Sequence, residues 1–95
     1  MSQFWFRPAR LGDVVSVALN MRAWDRKEIF ACRWDDDPLA FAHEAFGLCE
    51  AQGVCWAAGR DHPIAIVGAV EQWPGCWSVL VFTTDDFDRI ALSLT

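Results

Sequence analysis

The sequence predicts an α+β fold in which three short helices pack on a small antiparallel sheet, with a short helix after the last strand. Three observations predict it. Apolar residues recur with helical spacing before Gly53 and in strand-like runs after it. Two turn-forming clusters, "GRDHP" and "WPGCW", separate three apolar runs, which makes an antiparallel meander. The stretch "DDDPLAFAHEAFGLCEAQG" carries both ends of a helix, with Asp37 to cap, Pro38 for the first helical position and Gly53 for a left-handed stop.

The elements follow in order. "QFWFRPAR" reads as a first strand that ends near Pro8. "GDVVSVALNM" spaces Val14, Val17, Ala18 and Met21 on one helix face, with Asp13 placed to cap it. In "WDRKEIFACRW", Asp25 and Glu28 have capping-box spacing and start a second helix, flanked by Trp24 and Trp34. The third helix presents Leu39, Ala42, Phe46 and Cys49 inward. "VCWAA", "IAIVGAVEQW" and "WSVLVFTT" are the three strands, so apolar that their sheet must be covered on both faces or lie against a partner. Thr84 caps a last helix with Asp85, Asp86 and Asp88 in its first turn and Phe87, Ile90, Ala91 and Leu94 on its inner face. No linker, repeat or low-complexity segment divides the chain, so residues 1–95 read as one domain.

Hydrophobic residues make up 54% of the chain, with six Trp and seven Phe, which is more apolar material than a monomer of 95 residues hides. The net charge of −5 argues against direct nucleic-acid binding, which needs a basic face. Cys32, Cys49, Cys55 and Cys76 form no CxxC pair and fit no zinc-site spacing, so they read as buried free thiols of a reducing cytosol. "MSQFWFRPAR" is too polar and short for a signal peptide, and no apolar run reaches the ~18 residues of a membrane helix. A cytoplasmic location with no membrane partner is the expectation.

The order of elements, with "RPA" before the first helix, "NMRAWDRKEI" leading into the second and "PIAIVGAVEQWPGCWSVLVFTTDDF" across the meander, resembles the N-terminal half of the GNAT-type N-acetyltransferases. More narrowly it is similar to the GNAT-like proteins of bacteriophages, including the internal-virion type. The resemblance spans essentially the whole chain but only about the first half of that fold, a GNAT-like half-domain. In the catalytic family a glycine-rich loop follows the fourth strand and holds the coenzyme A pyrophosphate on backbone N–H groups. Here that place reads "TTDDFDRI", with no glycine and three aspartates, where like charge repels a pyrophosphate. The chain also ends within the helix that follows, before the strand that would admit the pantetheine arm. The resemblance therefore implies a non-catalytic protein with no cofactor.

Other candidate chemistry is sparse. His62 beside Asp61 has the form of a base with its orienting carboxylate, but the reading preferred for it is a solvated turn histidine. His43 beside Glu44 lacks a second ligand at i+4 for a metal. Cys55 and Cys76 lack a placed base. No catalytic, cofactor-binding or metal residue is expected. The candidate residues are partner-binding ones: Asp35, Asp36, Asp37, Asp85, Asp86 and Asp88, with Trp73 and Trp77. The strand Trp77 to Thr83 has no following strand to pair with, so its edge invites a homodimer or strand addition. The functional expectation is a phage-type GNAT-like protein that acts by protein–protein interaction, as a homodimer and as an inhibitor of a host defence complex in the host cytoplasm. The alternatives are an acetyl-CoA-dependent acetyltransferase completed by a second chain or by dimerisation, and a virion-associated structural protein.

Overall fold

The computed structural model describes residues 4–31, 33 and 35–86. The elements are β1 (Trp5–Pro8), α1 (Leu11–Leu19), α2 (Ala23–Ala31), α3 (Pro38–Gln52), β2 (Gly53–Gly59), β3 (Pro63–Trp73) and β4 (Cys76–Thr83). The strands form one antiparallel sheet in the order β1-β2-β3-β4. The α+β arrangement expected from the sequence is the one observed. Cys32, Trp34, Phe87, Asp88 and the expected inner face of the last helix lie outside the described residues.

The helices pack on one face of the sheet. Ala57, Ile66 and Phe82 stand opposite one another in register and join Val14, Val17, Ala18 and Met21 of α1 and Phe41, Ala42 and Ala45 of α3 in the core. Phe41 meets Phe82 edge-to-face at 5.1 Å, and Phe30 of α2 meets Phe41 at 6.1 Å. The α1 stripe is the expected one. That of α3 is shifted: Phe41 and Ala45 are buried with Ala42 and Cys49, while Leu39 is exposed and Phe46 half-buried. Two apolar stripes were possible on so apolar a helix, and the larger Phe41 ring reaches Phe82.

Of the two expected caps, Asp13 caps from within its helix and Asp25 plays another role. Asp13 sits inside α1, at its third position, where its carboxylate accepts the Arg10 N–H at 3.0 Å and the Arg7 guanidinium at 2.9 Å. Asp25 lies inside α2 and is buried, 7% exposed. One of its oxygens accepts the backbone N–H of Thr83 at 3.0 Å and the Thr83 hydroxyl at 3.3 Å, while Arg22 grips the carboxylate through Nε and Nη2. The Arg22 N–H in turn donates to the Thr83 carbonyl at 2.8 Å. Gly53 is not left-handed either, with φ −169°. A Cβ there would lie 1.9 Å from the Ala69 carbonyl oxygen, so glycine is required by the close approach of β3.

Truncating Asp25 leaves the Thr83 N–H without its acceptor and Arg22 without its counter-charge. We expect Asp25→Ala to cost about 3 kcal/mol. Thermal unfolding should then show Tm lowered by more than about 10 °C in a domain of this size. A fall of only a degree or two would show that this corner of the fold does not need the carboxylate.

Candidate functional site

The sheet has two edge strands, and they differ. β1 is four residues long, carries Arg7 and ends in Pro8, features that discourage further pairing. β4 is eight residues long, "CWSVLVFT", with neither charge nor proline. Its two sides follow from alternation. Thr84 N–H donates to Ile64 in the β3 direction, whereas both main-chain groups of Thr83 turn outward to α2 and the segment before it. The main-chain groups of Val81, Val79 and Trp77 share the outward side of Thr83. Met21 bridges Thr84, so the edge is closed at its C-terminal end and, among the described residues, open from Val81 to Trp77.

Beside this edge, on the helix face, lies a cleft of about 760 Å³. α3 lines one wall with Ala45, Gly47, Leu48 and Ala51, and the floor is Val70, Ser78 and Leu80. The cleft exists because these residues are small: a Cβ built on Gly47 meets nothing within 4 Å. Leu48, exposed, lines it together with the buried Phe41 of the same helix. Arg33 stands at one wall, paired with Glu44 and with Asp35 at 3.3 Å. The Arg33 guanidinium, together with the Asp37 N–H, holds the Asp35 carboxyl below the usual carboxylate range, and Glu44 first and then Asp35 raise the Arg33 value. Chemically, the site offers peptide donors and acceptors with no strand partner among the described residues along one side and an apolar trough along the other.

The expected partner-binding residues fall in three places. Asp35, Asp36 and Asp37 occupy the connection between α2 and α3, where Asp37 caps α3 by accepting the Leu39 N–H at 3.0 Å. Trp73 and Trp77 flank the β3–β4 turn and are 64% and 52% exposed. Asp85 and Asp86 follow the other end of β4, with the Asp86 N–H bonded to the Thr84 hydroxyl at 3.3 Å. Eight residues of extended strand separate Trp77 from Asp85, a span of about 27 Å, so the tryptophans and these aspartates do not form one patch. Asp88 lies outside the described residues.

His62 is an exposed turn histidine as expected, but with a partner that the sequence did not suggest. It bonds Asp86 at 2.9 Å, 24 residues away, and Ser16 of α1 and Asn20 just after it line the same shallow cavity. His43 is exposed on α3. Among the described residues no group of three or more His, Cys, Asp and Glu side chains could hold a metal ion. No described helix is long and apolar enough to cross a membrane. Between Thr83 and Asp86 there is no glycine, and Asp85 and Asp86 place two carboxylates directly after β4.

Sequence reasoning identified the open strand but missed the cleft beside it. Its signal was the run of small residues at Ala45, Gly47, Ala51 and Ser78, which acquires meaning only once α3 is set against β4. No protein-family model, curated protein or solved structure matches the chain.

Two predictions follow from these surroundings. Asp37→Ala should lower stability by about 1 kcal/mol in urea unfolding, because it removes the cap of α3; no change would leave the acidic run free of a structural role. The second concerns the thiols. Burial pushes the Cys49 thiol up, and burial with Cys49 beside it pushes Cys55 up from 9.0 to about 12. The fold thus favours the neutral thiol. Its contribution is intact below the unfolded-state value and is lost as pH rises through the window from 9.0 to about 12. Urea midpoints should fall across that window less steeply in Cys55→Ala than in the parent, and iodoacetamide at pH 8 should leave both thiols unmodified in the native state.

Proposed function

We propose that the chain is a non-catalytic protein-interaction module that accepts an extended apolar segment of a partner protein as a fifth strand on β4. The observation that carries this reading is the open edge from Val81 to Trp77 lying beside an apolar cleft on α3. An added strand supplies the missing main-chain partners, and every second side chain of it enters the trough. A cleft of this volume takes two or three apolar side chains of such a strand. The absence of charge along β4 favours an apolar segment over an acidic or basic one. Asp35, held at the wall by Arg33, adds a polar rim.

The resemblance to phage GNAT-like proteins narrows the proposal to a protein that occupies a host defence complex. That step rests on the resemblance and on size. The missing glycine loop supports the non-catalytic part, against an acetyltransferase completed by a second chain.

The test begins with extended peptides selected for binding to the full chain. Bound peptide should slow amide exchange at Trp77, Val79 and Val81 by tenfold or more. Ser78→Arg and Leu48→Glu, which fill the cleft or charge its wall, should weaken binding at least tenfold. Peptides that bind without protecting those amides, and that ignore both substitutions, would remove the edge from the proposal. Acetyl-CoA titrated into the same sample should give no heat; saturable micromolar binding would replace the reading with the enzyme one.

A further inference from the structure

The sheet has a second uncovered surface, distinct from the edge and cleft. Alternation sends Ala57, Ile66 and Phe82 toward the helices, so Trp56, Val67 and Val81 form the opposite row, and Val54, Ala69 and Val79 the next. Phe6 of β1, paired with Ala58, stacks on Trp56 at 5.0 Å with the rings nearly parallel. Trp77 extends the surface toward the hairpin. At the other end the surface stops, because Ala65 and Thr83 are buried. Val79 is 71% and Phe6 63% exposed.

We infer that this face packs against the same face of a second copy of the chain, giving a two-sheet dimer. Three observations argue for a second copy. The exposed parts of Phe6, Val54, Trp56, Val67, Trp77, Val79 and Val81 amount to roughly 700 Å² per copy, beyond the few hundred Å² that monomers leave contiguous. Two such faces bury about 1,400 Å² in total, within the range of specific interfaces and above most casual contacts. Second, the rows Trp56–Val67–Val81 and Val54–Ala69–Val79 carry no charged side chain, and Glu71, opposite Trp77, stands only at the hairpin end, while each copy carries −5. Two chains of like charge therefore meet here with the least repulsion, since the described acidic groups sit on the helices, the connections and the strand ends. Third, the surface is nearly all Val, Trp and Phe on pleated strands, the composition with which one sheet packs on another at about 10 Å.

A two-fold axis between the faces makes the contact self-complementary, and it leaves β4's edge and cleft open on each copy. The dimer thus presents two strand-accepting sites. The inference concerns a different surface from the proposed function, so either can fail alone.

Sedimentation velocity on the full chain, from about 1 to about 100 µM, reads the outcome. We expect a dimer, and in Phe6→Glu and Val67→Lys a dissociation constant raised at least ~100-fold with the circular dichroism of the parent. Phe6 lies three strands, about 14 Å, from β4, so its substitution cannot disturb pairing through the β4 edge. Should Val67→Lys not fold, Phe6→Glu decides alone. Ser78→Arg, which points into the cleft, should leave the dimer intact. A monomer at every concentration overturns the inference. So does a dimer that withstands Phe6→Glu, or one that Ser78→Arg dissolves.

Discussion

A single buried carboxylate determines where this sheet stops being available. Asp25 takes the outward N–H of Thr83, and the Arg22 N–H takes its carbonyl, so both groups of that residue are satisfied by the helical layer across 58 residues of sequence. The same contact sets the α1–α2 corner against the end of β4, with Arg22 held on the carboxylate. Burying a charge is tolerable only when it is paired and hydrogen-bonded, and Asp25 has both the guanidinium and two Thr83 donors. Because the lock falls on the strand's last residue, the outward groups of Val81, Val79 and Trp77 lie beyond its reach.

The remaining openness follows from how the helices are distributed. All three lie between β1 and β2 in sequence, and those strands are antiparallel neighbours in the sheet. One compact layer bridges that connection, and it covers one face. α1 and α3 fill it over Ala57, Ile66 and Phe82, while α2, with only Asp25 fully buried, serves the edge. No described helix remains for the other face. The excess of apolar residues evident in the composition is therefore not surplus core. It is a second hydrophobic surface, assembled on the outward positions of the same strands.

How much of this was legible in the sequence depends on the range of the interaction concerned. The period change at Gly53, the turns before Pro63 and Cys76 and the Asp37 cap are local signals, and each marks a real boundary. Asp13 caps α1 as its local position suggests, with Arg7 added by the fold, whereas Asp25 has the residue type of a cap but is committed to Thr83, which local spacing does not reveal. His62 was read with its neighbour Asp61, whereas the fold brings Asp86 to it. Gly53 was read as a conformational stop, and its reason proved to be a strand passing against it. The apolar runs announced a sheet that needed covering on both faces. Which face the helices would take, and which side would be left, required the register.

The open edge and the open face are coupled by strand geometry. In a β-strand, residues whose main-chain groups point to one side also share one side-chain face. Trp77, Val79 and Val81 therefore contribute their N–H and C=O groups to the edge and their side chains to the outer surface. The alternate residues Ser78 and Leu80 line the cleft and hydrogen-bond toward β3. A cover on the outer face would hold the first set of side chains in place and so stiffen the main chain that an incoming strand must match. Less conformational freedom would then be lost when that strand pairs, which strengthens binding without any new contact. An edge strand ordered on one face by its own kind is a better template on its free side than one that is free on both.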